Sequence, residues 1–206
     1  LNKLRGQFKK YGIDGYIIPK NDEFFSEYAK IDRLKYISNF SGSAGYAVIL
    51  KNRNYLFVDG RYTIQAKIES GKYFKIVDYF KIINSDIFKN LKIGIDPKLF
   101  TSQQIKKIFL KNDKVKIINE NLVDNILNIK NKKNLPFYSV NEKITGENHL
   151  KKISKVVTFL KKNNSDYLYI TAPENIAWLL NIRGYDNPNS PIPNCNLILS
   201  KEKKFY

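Results

Sequence analysis

The 206-residue sequence contains no methionine and only one cysteine, one histidine and one tryptophan. Each scarcity removes a class of function. A lone Cys195 cannot form an intramolecular disulfide, which favours a reducing compartment. Its surroundings are rich in Pro and Asn and hold no histidine base, so an inert thiol is expected. A lone His149 cannot build a histidine-rich metal site, and no second Cys or His stands at ligand spacing. It sits beside the apolar stripe of an expected helix, with no partner signal for a Ser-His-Asp arrangement. No apolar run approaches the roughly 18 residues of a membrane span, and no charged-then-apolar leader opens the chain. Without methionine, Leu1 is not expected to be the native start. Gly42-Ser43-Ala44-Gly45 is too short for a phosphate-binding loop and precedes a strand, where that motif would precede a helix.

What the sequence does have is positive charge, a formal +17 at neutral pH. The basic residues are overwhelmingly Lys, scattered in pairs such as Lys9-Lys10, Lys106-Lys107, Lys132-Lys133, Lys151-Lys152 and Lys161-Lys162. Nucleic-acid binding would call for a basic stripe, Arg base readers or aromatics on an open sheet. A solvated surface is therefore the main expectation, and a polyanion-binding role the alternative.

Periodicity gives a coarse map. Leu1, Leu4 and Phe8 suit a short helix ended by Gly12, and Tyr16-Ile17-Ile18 a buried strand stopped by Pro19. Leu34 and Ile37 suggest a short helical stretch. Strands at 46–50 and 55–58, separated by Lys51-Asn52-Arg53-Asn54, predict a hairpin. Helix is expected over 61–69 and 82–91, and strands at 74–77, 92–95 and 115–118. Thr101 and Gln104 have capping-box spacing ahead of Ile105, and Leu122, Val123, Ile126 and Leu127 form a helical stripe. This alternation predicts an α/β fold, a mixed sheet flanked by helices, over residues 1–129. Residues 130–140 lose all periodicity and read as a linker. Residues 141–206 read as the first part of a second α/β domain of similar type. There Leu150, Ile153, Val156, Val157 and Leu160 mark an amphipathic helix. Tyr167 to Ile170 is an expected strand. Thr171, Pro173 and Glu174 signal a helix start, with Trp178 on the apolar face and termination at Arg183-Gly184. Leu197 to Leu199 begins a strand, and the sheet is expected to be unfinished at Tyr206.

An ordered set of motifs runs through nearly the whole chain. It comprises Asp14-Gly15-Tyr16-Ile17-Ile18-Pro19 with Asp22 and Ser26-Glu27-Tyr28. Arg33 follows, with Ile37-Ser38-Asn39-Phe40-Ser41-Gly42-Ser43-Ala44-Gly45. Next come Asp59-Gly60-Arg61-Tyr62 with Gln65-Ala66, Gly94-Ile95-Asp96-Pro97, and Asn121-Leu122-Val123-Asp124. The second unit adds Thr171-Ala172 with Glu174, Ile176-Ala177-Trp178-Leu179-Leu180-Asn181-Ile182-Arg183-Gly184, Asp186-Asn187-Pro188 and Pro191. In this order the set resembles the N-terminal region of the Xaa-Pro aminopeptidase (aminopeptidase P) family, with its creatinase-type N-terminal domains. Asn39, at a position often Gly, and Phe24 or Phe25, where His is frequent, depart from the family pattern, as does Pro193-Asn194-Cys195.

The resemblance implies two related N-terminal α/β domains ahead of a catalytic domain that holds two divalent metal ions, usually manganese. That domain hydrolyses the bond between residue one and a proline at position two of a peptide. This chain would lack it, supply no metal ligand or catalytic residue, and be inactive alone. Its implied contributions are dimerisation and access control in a cytoplasmic homodimer that does not bind membranes, with nucleic acid not expected as a partner. One residue carries over: Arg61 of Asp-Gly-Arg-Tyr, which in similar enzymes reaches the active site and helps bind substrate. A structural ion pair with Asp59 is the competing reading of Arg61, and Glu27 could pair with Arg33. The alternative function is a stand-alone basic binding module for a polyanion or protein partner.

Overall fold

The computed structural model describes residues 1–26, 29–83, 85–110, 114–129, 135–187 and 189–206. The chain divides into two compact units, Leu1–Lys132 and Lys133–Tyr206.

In the first unit, α1 (Asn2–Tyr11) leads into β1 (Gly15–Pro19). The turn between them is set by Gly12, whose φ of 56° lies in the left-handed region where glycine ends a helix without a Cβ penalty. Then follow α2 (Arg33–Ser38), β2 (Gly45–Leu50), β3 (Asn54–Val58), α3 (Thr63–Ser70) and β4 (Lys75–Asp78). The unit closes with β5 (Ile93–Ile95), α4 (Ser102–Ile108), β6 (Val115–Ile117) and α5 (Leu122–Leu127). The strands form one mixed sheet in the order β4-β3-β2-β1-β5-β6. The expected hairpin is present, β2 pairing antiparallel with both β1 and β3. The β3–β4, β1–β5 and β5–β6 pairs are parallel. Five strands thus run one way and only β2 is reversed, so the carboxyl ends of the five lie along one edge.

Every residue of β1 and β2 is buried, as expected of central strands covered on both faces. Alternation sends Tyr16, Ile18, Ala47, Ile49 and Leu56 into one cluster with Leu4, Phe8, Leu34, Phe40 and Leu122. Ile17, Tyr46, Val48 and Phe57 enter the other, with Phe88, Leu99, Phe100 and Ile108. The capping box of Thr101 and Gln104 forms as its spacing predicts. The helix expected over 82–91 does not form: two short 3-10 turns, Tyr79–Ile82 and Asp86–Phe88, stand in that region. They still bury Ile82 and Phe88, so the apolar spacing reported burial correctly and helix length wrongly.

The second unit contains β7 (Phe137–Ser139), α6 (Glu142–Thr145), α7 (His149–Lys162), β8 (Tyr167–Ile170), α8 (Pro173–Leu180), β9 (Ile182–Gly184) and β10 (Leu197–Ser200). β7 lies inside the segment read as linker. All three of its residues are exposed, which erases the alternation that would have revealed it; it pairs antiparallel with β9. Residues 130–134 of that segment lie outside the described residues. α8 ends at Asn181 in the left-handed conformation rather than at Arg183-Gly184, which belong to β9. Its N-cap is Ala172, with no side-chain bond, and Pro173 supplies the start instead of Thr171. Six residues form the buried cluster: Ile153, Val157, Ile176, Leu179, Leu197 and Leu199.

Trp178 was expected in this core, yet it is 59% exposed. Beneath its ring lies the ammonium of Lys152, 4.2 Å from the centroid. Lys152 is only 3% exposed and donates to the Trp178 carbonyl (2.8 Å) and Asn181 Oδ1 (2.7 Å). A lysine thereby occupies the carbonyl end of α8, where a cation is favoured.

Candidate functional site at the carboxyl edge of the sheet

In open α/β sheets, ligands commonly lie outside the carboxyl ends of the strands. Here that edge gathers the loops after β1, β3 and β4 and the loop before β2. β3 is followed by Asp59, whose side chain accepts from the Arg61 N–H and caps the 3-10 turn Gly60–Tyr62. The turn projects Arg61 outward, with a side chain 71% exposed. Its Nε donates to Asp59 Oδ1 at 2.9 Å, and its guanidinium stands 5.4 Å from the Tyr62 ring centroid. The Arg61 side chain and backbone N–H hold the Asp59 carboxyl below its usual range. The ion pair read from sequence is therefore present.

The Tyr62 hydroxyl lies 2.9 Å from Ser43 Oγ, tying the β3 loop to the small-residue turn before β2. Ser41 and Gln65 extend the tie through Glu69. Gly45 is required here because a Cβ would sit 2.8 Å from the Phe57 carbonyl oxygen. Beside this turn is a cleft of about 170 Å³ lined by Lys20, Asn21, Phe25, Ser43, Tyr46 and Tyr79, among others. The Tyr79 hydroxyl donates to that of Tyr46 at 3.2 Å, and burial followed by that bond raises the Tyr46 pKa. Phe25 has φ of 60°, a left-handed value that is costly for a bulky residue. Asp22 holds the loop by accepting from the N–H groups of Phe24 and Ser26. Strain of this kind is found disproportionately at ligand sites.

Most other motif residues hold the fold. Arg33 is 2% exposed and bidentate to Asp124, Nε–Oδ1 2.6 Å and Nη2–Oδ2 2.7 Å, with Glu23 at 2.9 Å. Burial opposes its charge, but the two carboxylates outweigh it and raise the guanidinium pKa. Glu27, the partner expected from sequence, lies outside the described residues. Asp96 accepts from Lys98 N–H and from Asn121, the N-cap of α5. In the second unit Asp186 accepts from the N–H groups of Leu135 and Asn194. Cys195 is half-buried, and burial followed by Asp186 raises its thiol pKa, which disfavours the reactive thiolate. His149 is the exposed first residue of α7. Among the described residues no group of three His, Cys, Asp or Glu could hold a metal ion, and no helix is long and apolar enough to cross a membrane.

Residues 1–124 match a family described as Creatinase/Prolidase N-terminal domain, and residues 131–206 match a second family of the same description. The chain belongs to the creatinase/prolidase N-terminal domain family. Its mixed sheet flanked by helices is the fold of that family's structures. This creatinase-type chain is 32% identical to Xaa-Pro aminopeptidase 1 from Dictyostelium discoideum, over 98% of its own length and 36% of the relative's. It is 33% identical to a probable Xaa-Pro aminopeptidase P from Laccaria bicolor, over 93% and 32%. The crystal structure of X-prolyl aminopeptidase from Caenorhabditis elegans, described as a cytosolic enzyme with a di-nuclear active site, superposes with a TM-score of 0.83. The two are 28% identical, over 99% of this chain and 37% of that one. The chain thus spans about a third of the length of these relatives.

Proposed function

We propose that this chain is the N-terminal, non-catalytic part of a metal-dependent Xaa-Pro aminopeptidase, and that Arg61 is its contribution to substrate binding. The observation that carries the reading is the placement of Arg61. It projects from the carboxyl edge of the sheet on a capped turn, braced by Asp59 and Tyr62. A guanidinium held this way can bind a peptide carbonyl or carboxylate in a fixed orientation. The relatives named above support a peptide with proline at position two as the substrate. The di-nuclear description of the nematode enzyme supports two divalent metal ions, manganese being the reading here, held wholly outside this chain. Homodimerisation, access control and a cytoplasmic location belong to the same proposal.

Two measurements test it. The isolated chain, incubated with an Xaa-Pro peptide and manganese, should release no amino acid; chelator-sensitive turnover that persists through purification overturns the non-catalytic reading. With the chain joined to the catalytic portion of a relative, Arg61→Ala should lower kcat/KM about tenfold or more, the worth of one charge-assisted hydrogen bond. An unchanged kcat/KM removes the substrate role.

A further inference from the structure

The amino edge of the same sheet carries a second cleft, at the opposite end from Arg61. Its volume is about 450 Å³, and Arg5, Phe8, Lys9, Ile13, Asp14 and Lys51 line it. That size is typical of small-ligand sites, roughly 300–1,000 Å³. The floor is rigid, because Gly15 at the start of β1 pairs with Leu50 at the end of β2.

Its charge is lopsided. Arg5 is fixed by two neutral acceptors, its Nε donating to the Leu50 carbonyl (2.9 Å) and its Nη2 to Asn54 Oδ1 (2.6 Å). Among the described residues, neither Arg5 nor Lys9 forms an ion pair. Asp14, the one lining carboxylate, is already engaged by the Lys51 ammonium and the Lys92 N–H, and these hold its pKa below the usual range. Lys116 closes the rim beside Gly12 by donating to the Tyr11 carbonyl. The nearby Glu120 accepts from the Tyr11 hydroxyl and lies close to Lys10. The carbonyl end of α1 supplies about half a negative charge. Five cations (Arg5, Lys9, Lys51, Lys92 and Lys116) against the Asp14 carboxylate and that half charge leave about +3.5 around the cleft, with Glu120 offset by Lys10.

We infer that this cleft binds a small polyphosphate-type anion, with adjacent phosphoryl groups bridging the fixed Arg5 guanidinium and the Lys9 and Lys51 ammonium groups. Guanidinium suits the planar, multi-donor capture of phosphoryl oxygens, and the lysines act as point charges beside it. The basic groups converge on one open concavity rather than along a track, which favours a compact anion over a nucleic-acid backbone, since that requires an extended basic track. The inference is independent of the peptidase reading, since it concerns the opposite edge of the sheet.

Inorganic tripolyphosphate is the probe, titrated into the chain by calorimetry against sodium chloride of matched ionic strength. A saturable single site is expected, with amide NMR shifts centred on Gly12 and Asp14. Lys9→Glu, at an exposed position in the last turn of α1, should weaken binding about tenfold or more while leaving far-UV circular dichroism unchanged. Lys161→Glu, on a cleft of the other unit, should change it less than about twofold. Three results overturn the inference: no saturable binding above chloride, equal weakening by both variants, or binding of duplex nucleic acid alone with a steep salt dependence.

Discussion

The two units solve the same burial problem to different depths. The first covers a six-stranded sheet on both faces and fills two clusters, with its central strands wholly buried. The second, among its described residues, has two separate two-stranded sheets and one cluster of six buried residues. Large aromatics such as Phe137, Tyr167, Tyr169 and Trp178 stay exposed there. Among the described residues each unit also buries one cation and satisfies it differently. Arg33 is neutralised by two carboxylates, whereas Lys152 is held by a carbonyl, an amide oxygen and an indole face. A buried charge thus needs sufficient acceptors, and an opposite charge is only one way to provide them.

Trp178 is the only tryptophan and lies in the second unit, so its fluorescence reports that unit while circular dichroism reports both. The largest effect is expected from Arg33→Ala, which leaves Asp124 and Glu23 without their cation and should cost about 3–5 kcal/mol. In urea the dichroism midpoint should fall while the fluorescence midpoint holds; a shift of both would break the separation between the units. Next comes Lys152→Met, which strands the Asn181 and Trp178 oxygens and should cost about 1–3 kcal/mol. Here the fluorescence midpoint should move. If it does not, the carbonyl end of α8 is stabilised by other means. The smallest effect is Trp178→Ala, which removes a cation–π contact worth about 0.5–1 kcal/mol. A loss near the 3–5 kcal/mol of a core aromatic, read by far-UV dichroism, would contradict its exposed placement.

The first unit was more legible in the sequence than the second, for a physical reason. Strands buried on both faces read as apolar runs, as Tyr16-Ile17-Ile18 and Tyr46–Leu50 do, and the Thr101 box and Gly12 stop are local signals that tertiary packing did not override. Exposed β7 has no such pattern. Trp178 failed because spacing places a residue on the apolar side of a helix without saying whether that side is covered at that point. The 82–91 segment failed because the same apolar spacing serves 3-10 turns. At the candidate site, Asp59-Gly60-Arg61-Tyr62 was readable as a motif and as an Asp59–Arg61 pair. The Ser43–Tyr62 tie and the Tyr46–Tyr79 pair join residues 19 and 33 positions apart, a relation no local pattern encodes. Nor does spacing reveal that Arg33 pairs with Asp124, 91 positions away.

Lys152 has a practical consequence in a chain so rich in amines. Its neighbours Lys151 and Lys155 are open to acylating reagents, whereas its own amine is sealed under the indole and donates to oxygens of the α8 end. Mass spectrometry of a lysine-labelling time course would find it among the last to react. The moment it becomes reactive would mark α8 lifting from α7, a local opening that global unfolding curves average away.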